Sequence, residues 1–228
     1  DAPDTYPNTS ACDPNVVDGW DSCNLRSAVA YCNTFFTDPE WECVISLPVM
    51  GDLFLNSSLG ELELGLVTGP SNVPRGMLHV EGNECRLSPL PSDTSPARFF
   101  NIRGSLGLQD FSFSMSNATI SGFGSDQWDG GAMYFESVSV SLTSVVFEDN
   151  SGLAGGALCF HRCSGVSVES SQFLNNTAAS DGGGVYLYME NEEVELTACD
   201  FIGNSVLGSV ESDIGTGLFM GGALCALE

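Results

Sequence analysis

The sequence contains no lysine. Its six cationic side chains are all arginine, against 30 acids in 228 residues, for a formal charge of −24. So few cations exclude a nucleic-acid binder, which needs clustered positive charge to displace phosphate counterions. They exclude docking on anionic lipid for the same reason. Such a surface suits basic partners or divalent cations, so calcium is the one ion left open and no other cofactor is expected. There are only two histidines, and none of the nine cysteines falls in paired CxxC motifs, which argues against structural zinc. No apolar run approaches the roughly 20 residues that span a bilayer, so no membrane insertion is expected. No signal peptide is expected within these residues either. The polar, proline-containing start at Asp1 reads as a mature end after cleavage.

The cysteines themselves are informative. Cys12, Cys23, Cys32 and Cys43 crowd the first 44 residues and read as a disulfide-rich N-terminal segment of a secreted or cell-surface protein. Their connectivity is left open. Cys159 and Cys163 flank a small loop that a disulfide would pinch. Asn8, Asn56, Asn117 and Asn175 each open an Asn-x-Ser/Thr sequon, as a glycoprotein of the eukaryotic secretory route would carry.

An internal repeat governs the fold. Val138-Ser-Val140-Ser-Leu142 with Phe147-Glu-Asp-Asn150 recurs as Val166-Ser-Val168 with Phe173-Leu-Asn-Asn176, and again as Val194-Glu-Leu196 with Phe201-Ile-Gly-Asn204. An earlier, weaker copy is read as Leu106-Gly-Leu108 with Phe113-Ser-Met-Ser116. Between copies lie Gly130-Gly131-Ala132-Met133, Gly155-Gly156-Ala157-Leu158, Gly182-Gly183-Gly184-Val185 and Gly221-Gly222-Ala223-Leu224. Apolar residues alternate with serine, threonine and glutamate, the period of a strand with one buried face. Three such short strands in a coil of about 25 residues leave no room for crossover helices. Each strand must therefore pair in parallel with its equivalent one coil later. The expected fold is an all-β, right-handed parallel β-helix over residues 45–228, with interior phenylalanine stacks and an amide ladder of Asn150, Asn176 and Asn204.

One helix is predicted, over residues 25–32, with Leu25, Val29 and Cys32 on one face. It is expected to plug the N-terminal end of the core, where strand edges would otherwise lie open. At the other end the sequence stops within Gly221–Glu228, inside a new coil. Further coils, or a protein partner docked end-on, are expected to cover that edge.

These residues resemble a known family. Cys23-Asn-Leu25-Arg26-Ser-Ala28-Val29, followed by Cys32-Asn33, resembles the CSLREAI…AN opening of pectin-lyase-like β-helix surface proteins, with Ser27 where that family has glutamate. Ile45-Ser-Leu47-Pro48 and Leu53-Phe-Leu55 resemble its first strands. The GGA[LM] and F-x2-N repeats resemble those of chlamydial polymorphic membrane proteins and autotransporter passengers. The resemblance implies a structural, adhesive or assembly module rather than an enzyme.

The alternatives are a carbohydrate-active lyase or hydrolase, and an accessory subunit of a large complex in an oxidising lumen. None of the Asn-Thr-Asp, Asp-Asp, Gly-His-Gly or Arg-Ile-Lys motifs of polygalacturonases is recognised, and no catalytic residue is assigned. His161 and Arg162, between Cys159 and Cys163, are read as turn residues rather than a base and an oxyanion clamp. Binding is expected instead on two long loops leaving one corner, 116–130 and 204–221. The first offers Phe123, Asp126, Trp128 and Asp129, and the second Asp213 and Phe219, as contacts for a protein or glycan.

Overall fold

The computed structural model describes residues 25–33, 42–56, 61–64, 76–92, 97–104, 111–124, 126–208 and 223–227. The sequons and cysteines at Asn8, Cys12 and Cys23 lie outside these residues, as do Asp213 and Phe219.

The chain forms a parallel β-helix: among the described residues all pairings between strands are parallel. The first sheet runs β1 (Glu42–Ser46), β4 (Gly76–Pro89), β6 (Phe111–Ser121), β8 (Ser139–Glu148), β11 (Ser164–Glu169) and β15 (Glu192–Thr197). It also carries β2 (Asp52–Leu55), β12 (Gln172–Leu174) and β16 (Asp200–Ile202). The second sheet stacks β3 (Leu62–Leu64), β5 (Phe100–Arg103), β7 (Met133–Glu136), β10 (Leu158–His161), β14 (Val185–Tyr188) and β18 (Leu224–Leu227). A third, short sheet holds β9 (Ser151–Ala154), β13 (Thr177–Asp181) and β17 (Ser205–Val206).

The interior follows from the alternation. Phe147 stacks on Phe173 at 5.2 Å and Phe173 on Phe201 at 4.6 Å, with rings nearly parallel. Phe135 and Phe160 form a second stack at 5.2 Å. These are consecutive coils in register, Phe147 beside Phe173 beside Phe201. Burying each ring stabilises by about 2–3 kcal/mol on transfer grounds.

The earlier copy of the repeat falls elsewhere than the sequence suggests. Phe113 pairs with Val140, and it is Ile120 that pairs with Phe147. Both rows face the interior and both accept any large apolar side chain, so aligning phenylalanine on phenylalanine shifts the register by seven residues. The loop expected at 116–130 shrinks accordingly. Residues as far as Ser121 belong to β6, and Gly124 bridges to Ser151. Only the stretch from Gly124 to Gly130 exceeds its counterpart, Ser151 to Gly155.

Corners repeat as well as strands. Asn117, Ser144, Ser170 and Ala198 all adopt positive φ at one corner. Gly130, Gly155 and Gly182 do so at another. There a Cβ on Gly155 would collide with the Leu158 carbonyl oxygen, which is why glycine recurs. Turn backbone is satisfied by the asparagine ladder. Asn150 donates from its backbone N–H and from Nδ2 to Asn176 Oδ1, each at 3.0 Å. Asn176 does the same to Asn204 Oδ1, at 2.9 and 3.0 Å. The remaining amide hydrogens reach back to carbonyls of Ile120, Phe147 and Phe173. A stacked amide both gives and takes, so the buried Asn150 and Asn176 corners leave no side-chain amide stranded.

The helix forms where expected, α1 (Leu25–Asn33), with Leu25, Val29 and Cys32 buried in the same core as the first strands. Cys32 bonds Cys43 on β1, tying the cap to the sheet it covers.

Candidate functional site

Two surfaces stand out. The first is a shallow cleft of about 370 Å³ beside the corner between the first and third sheets, lined among others by Arg86, Pro89, Ser121 and Asp149. Arg86 is already engaged there, 3.0 Å from Glu148.

The second is the outer face of the second sheet, where polar and aromatic residues line up by register. One row runs Asn101, Tyr134, Cys159, Tyr186 and Cys225, the next Arg103, Glu136, His161 and Tyr188. Arg98 anchors the upstream end. It is buried, bonds Glu61 through Nε and Nη2 at 2.6 and 3.1 Å, and donates to the Asp129 carbonyl at 3.0 Å. Asn101 adds a third donor to Glu61 at 2.7 Å. The Arg98 guanidinium lies 5.6 Å from the Trp128 ring and 5.1 Å from the Tyr134 ring, while Arg103 sits 5.6 Å from Tyr134. Tyr134 is thus flanked by two cations and shares a 2.9 Å hydrogen bond with His161 Nδ1. Burial pushes the Tyr134 phenol well above its ordinary range.

The expected binding residues separate on this frame. Phe123 is 2% exposed and packs on Phe99 at 5.5 Å, so it is core and not a contact. It occupies the corner position that asparagine fills in later coils, its N–H bonding Asn150 Oδ1 at 3.0 Å. Trp128 is 40% exposed and Asp126 is exposed. Asp129 is half-buried, and burial raises its carboxyl pKa despite Arg98 nearby. Asn117 and Asn175 stand exposed at left-handed corners, and Asn56 is half-buried.

The pinched loop is not found. Cys159 and Cys163 are both free thiols. Strand alternation turns Cys159 outward beneath the tyrosines, while the corner at Arg162 returns Cys163 to the main core. Burial raises both thiols, Cys163 to about 11. His79 hydrogen-bonds Ser114 Oγ at 2.8 Å and lies 3.5 Å from Glu81. The Arg98–Glu61 pair went unforeseen, because 37 residues separate its members and only the coil register joins them. Among the described residues no three His, Cys, Asp or Glu side chains converge as a metal site. No helix among them is long and apolar enough to cross a membrane.

Residues 170–188, which span β12, β13 and β14, match the sequence model of the Chlamydia polymorphic membrane protein (Chlamydia_PMP) repeat. No curated protein and no solved structure matches the chain. The class defined by fold and repeat is therefore a parallel β-helix containing one unit similar to that of a surface-protein family.

Proposed function

We propose that this protein is a non-enzymatic module of a cell surface or extracellular assembly, made in an oxidising compartment and acting through contacts of its rigid solenoid. The observation that carries the reading is the polarity of the asparagine ladder. Each asparagine gives its backbone N–H and one amide hydrogen to the next coil. Asn204 is the last in the series among the described residues, its Nδ2 donating to Phe173 O at 2.8 Å. By the same geometry its other donors face one more coil. Ile202 and Leu207, 59% and 77% exposed, flank that edge and favour an apolar cover. The occupant is a further coil, of the same polypeptide or of a protein partner. N-glycans on the exposed Asn117 and Asn175 fit the same setting.

Hydrogen exchange tests the reading. In the native assembly the amides of β15, β16 and β17 are expected to exchange much more slowly than in the isolated 228-residue chain. Equal rates would count against an end-on partner. The carbohydrate-active alternative is tested separately, with uronate and neutral polysaccharides in the presence of calcium. No product is expected, and turnover abolished by Arg162→Ala would reverse the assignment.

A further inference from the structure

A different corner carries an inference of its own. Ser137, Arg162 and Met189 are equivalent turn residues on three successive coils, with φ of 55°, 53° and 52°. The Ser137 N–H donates to His161 O at 3.0 Å and the Arg162 N–H to Met189 O at 3.3 Å, which fixes the three turns one above another. In this acidic protein Arg86, Arg98 and Arg103 each hold a carboxylate. Arg162 holds none. Its guanidinium meets the Met189 thioether instead, Nη2 to Sδ at 3.8 Å.

Three buried polar atoms lack a partner among the described residues, and all three belong to this corner: Ser137 Oγ, His161 Nε2 and Arg162 Nε. Ser137 is only 5% exposed. His161 leans on Tyr188 at 5.1 Å, so its ring and the Arg162 guanidinium both lie toward residues 188 and 189 of the next coil. The acids nearby are accounted for. Glu136 faces the other ring nitrogen, 3.6 Å from Nδ1, and lies 3.7 Å from Arg103. Glu190 is exposed beside Met189.

Leaving three such groups unmatched in a buried setting is costly, and a partly buried unpaired cation more so. All three can donate. When Tyr134 O–H donates to Nδ1, the proton of a neutral His161 sits on Nε2, and the imidazolium presents the same donor. We propose that the corner formed by Ser137, His161 and Arg162 binds one small oxyanion, a carboxylate or sulfate group presented by a ligand docked along the tyrosine face. Guanidinium and hydroxyl donors suit a planar or tetrahedral oxyanion. Glu190 at the rim disfavours a dense polyanion. This site does not depend on the end-on contact proposed above.

The test follows the six arginine Nε–Hε resonances in a 1H–15N spectrum during titration with sodium sulfate or sodium acetate, against sodium chloride at matched ionic strength. The Arg162 signal is expected to shift and saturate with one or both oxyanions, while exposed Arg86 drifts as it does in chloride. Saturation with sulfate alone would identify a tetrahedral group, and with acetate alone a carboxylate. Ser137→Ala is expected to weaken the midpoint about fivefold, the equivalent of one neutral hydrogen bond. Arg162→Gln should abolish the response of the His161 ring signals. An Arg162 shift that never saturates, that chloride reproduces, or that Ser137→Ala leaves unchanged would overturn the proposal. The alanine variant keeps the test decisive even if Arg162→Gln fails to fold.

Discussion

The upstream and downstream coils share one architecture but reach it by different means. Along one interior row the successive occupants are Leu53, Leu87, Ile120, Phe147, Phe173 and Phe201. The intervals are 34 and 33 residues at first, then 27, 26 and 28. Downstream, the coil is short because each corner is met by the same device, a glycine pair or a laddered asparagine. Upstream, Phe123 fills the corner that Asn150 fills later, and Asn83 instead braces an earlier turn by donating to Leu47 O at 2.7 Å. Parallel pairing persists through both halves. Regular corners make a repeat visible, but the pairing itself needs only an apolar row of matching depth.

The sharpest way to break this comparison is to empty the interior of the regular half. Phe173→Ala removes a ring stacked on both sides and should cost about 3–5 kcal/mol in denaturant unfolding. A loss under about 1 kcal/mol would mean the rings are not packed as consecutive layers. The ladder comes next. Asn176→Ala strands the Asn150 donors and the Phe147 carbonyl, for an expected loss of about 3 kcal/mol. At the equivalent upstream corner, Phe123→Leu should cost only about 1 kcal/mol, because shape is disturbed but no polar group is orphaned. Similar losses at the two sites would erase the distinction between the halves.

The thiols give a smaller, pH-dependent effect. Cys163 has its folded pKa raised by burial to about 11, above an unfolded value of about 8.5. A raised folded value means that its contribution is intact below about pH 8.5 and lost as pH climbs towards 11. Stability should therefore fall across that window, and less steeply in Cys163→Ala. Native protein treated with a thiol reagent near pH 8 should label half-buried Cys199 first, and Cys159 and Cys163 only on unfolding. Rapid labelling of Cys159 would show that the tyrosine face opens.

Much of this was legible in the residues, unevenly so. The downstream strands, the phenylalanine stack, the asparagine ladder and the cap helix all follow from spacing, because each depends on residues at fixed offsets. The upstream register does not, since Ile120 and Phe113 are interchangeable as apolar side chains and only strand pairing tells their rows apart. Phe123 was misplaced for the same reason: with β6 running on to Ser121, it falls at the corner that Asn150 fills later and not on an exposed loop. The network of Arg98, Glu61, Tyr134 and His161 was invisible because its members meet across coils. The free state of Cys159 and Cys163 depends on which face of β10 each thiol takes, which spacing of four residues around a left-handed turn does not reveal.

The register between β6 and β8 is the most direct test, because it joins the two halves. The structure sets Ser114 beside Ser141 on the outer face, whereas matching Phe113 to Phe147 would set Ser114 beside Glu148. Adjacent parallel strands bring equivalent residues within disulfide range. Ser114→Cys combined with Ser141→Cys is predicted to cross-link within the chain under mild oxidation, and Ser114→Cys combined with Glu148→Cys is not. The opposite outcome, a bond in the second pair and none in the first, would contradict the coil assignment.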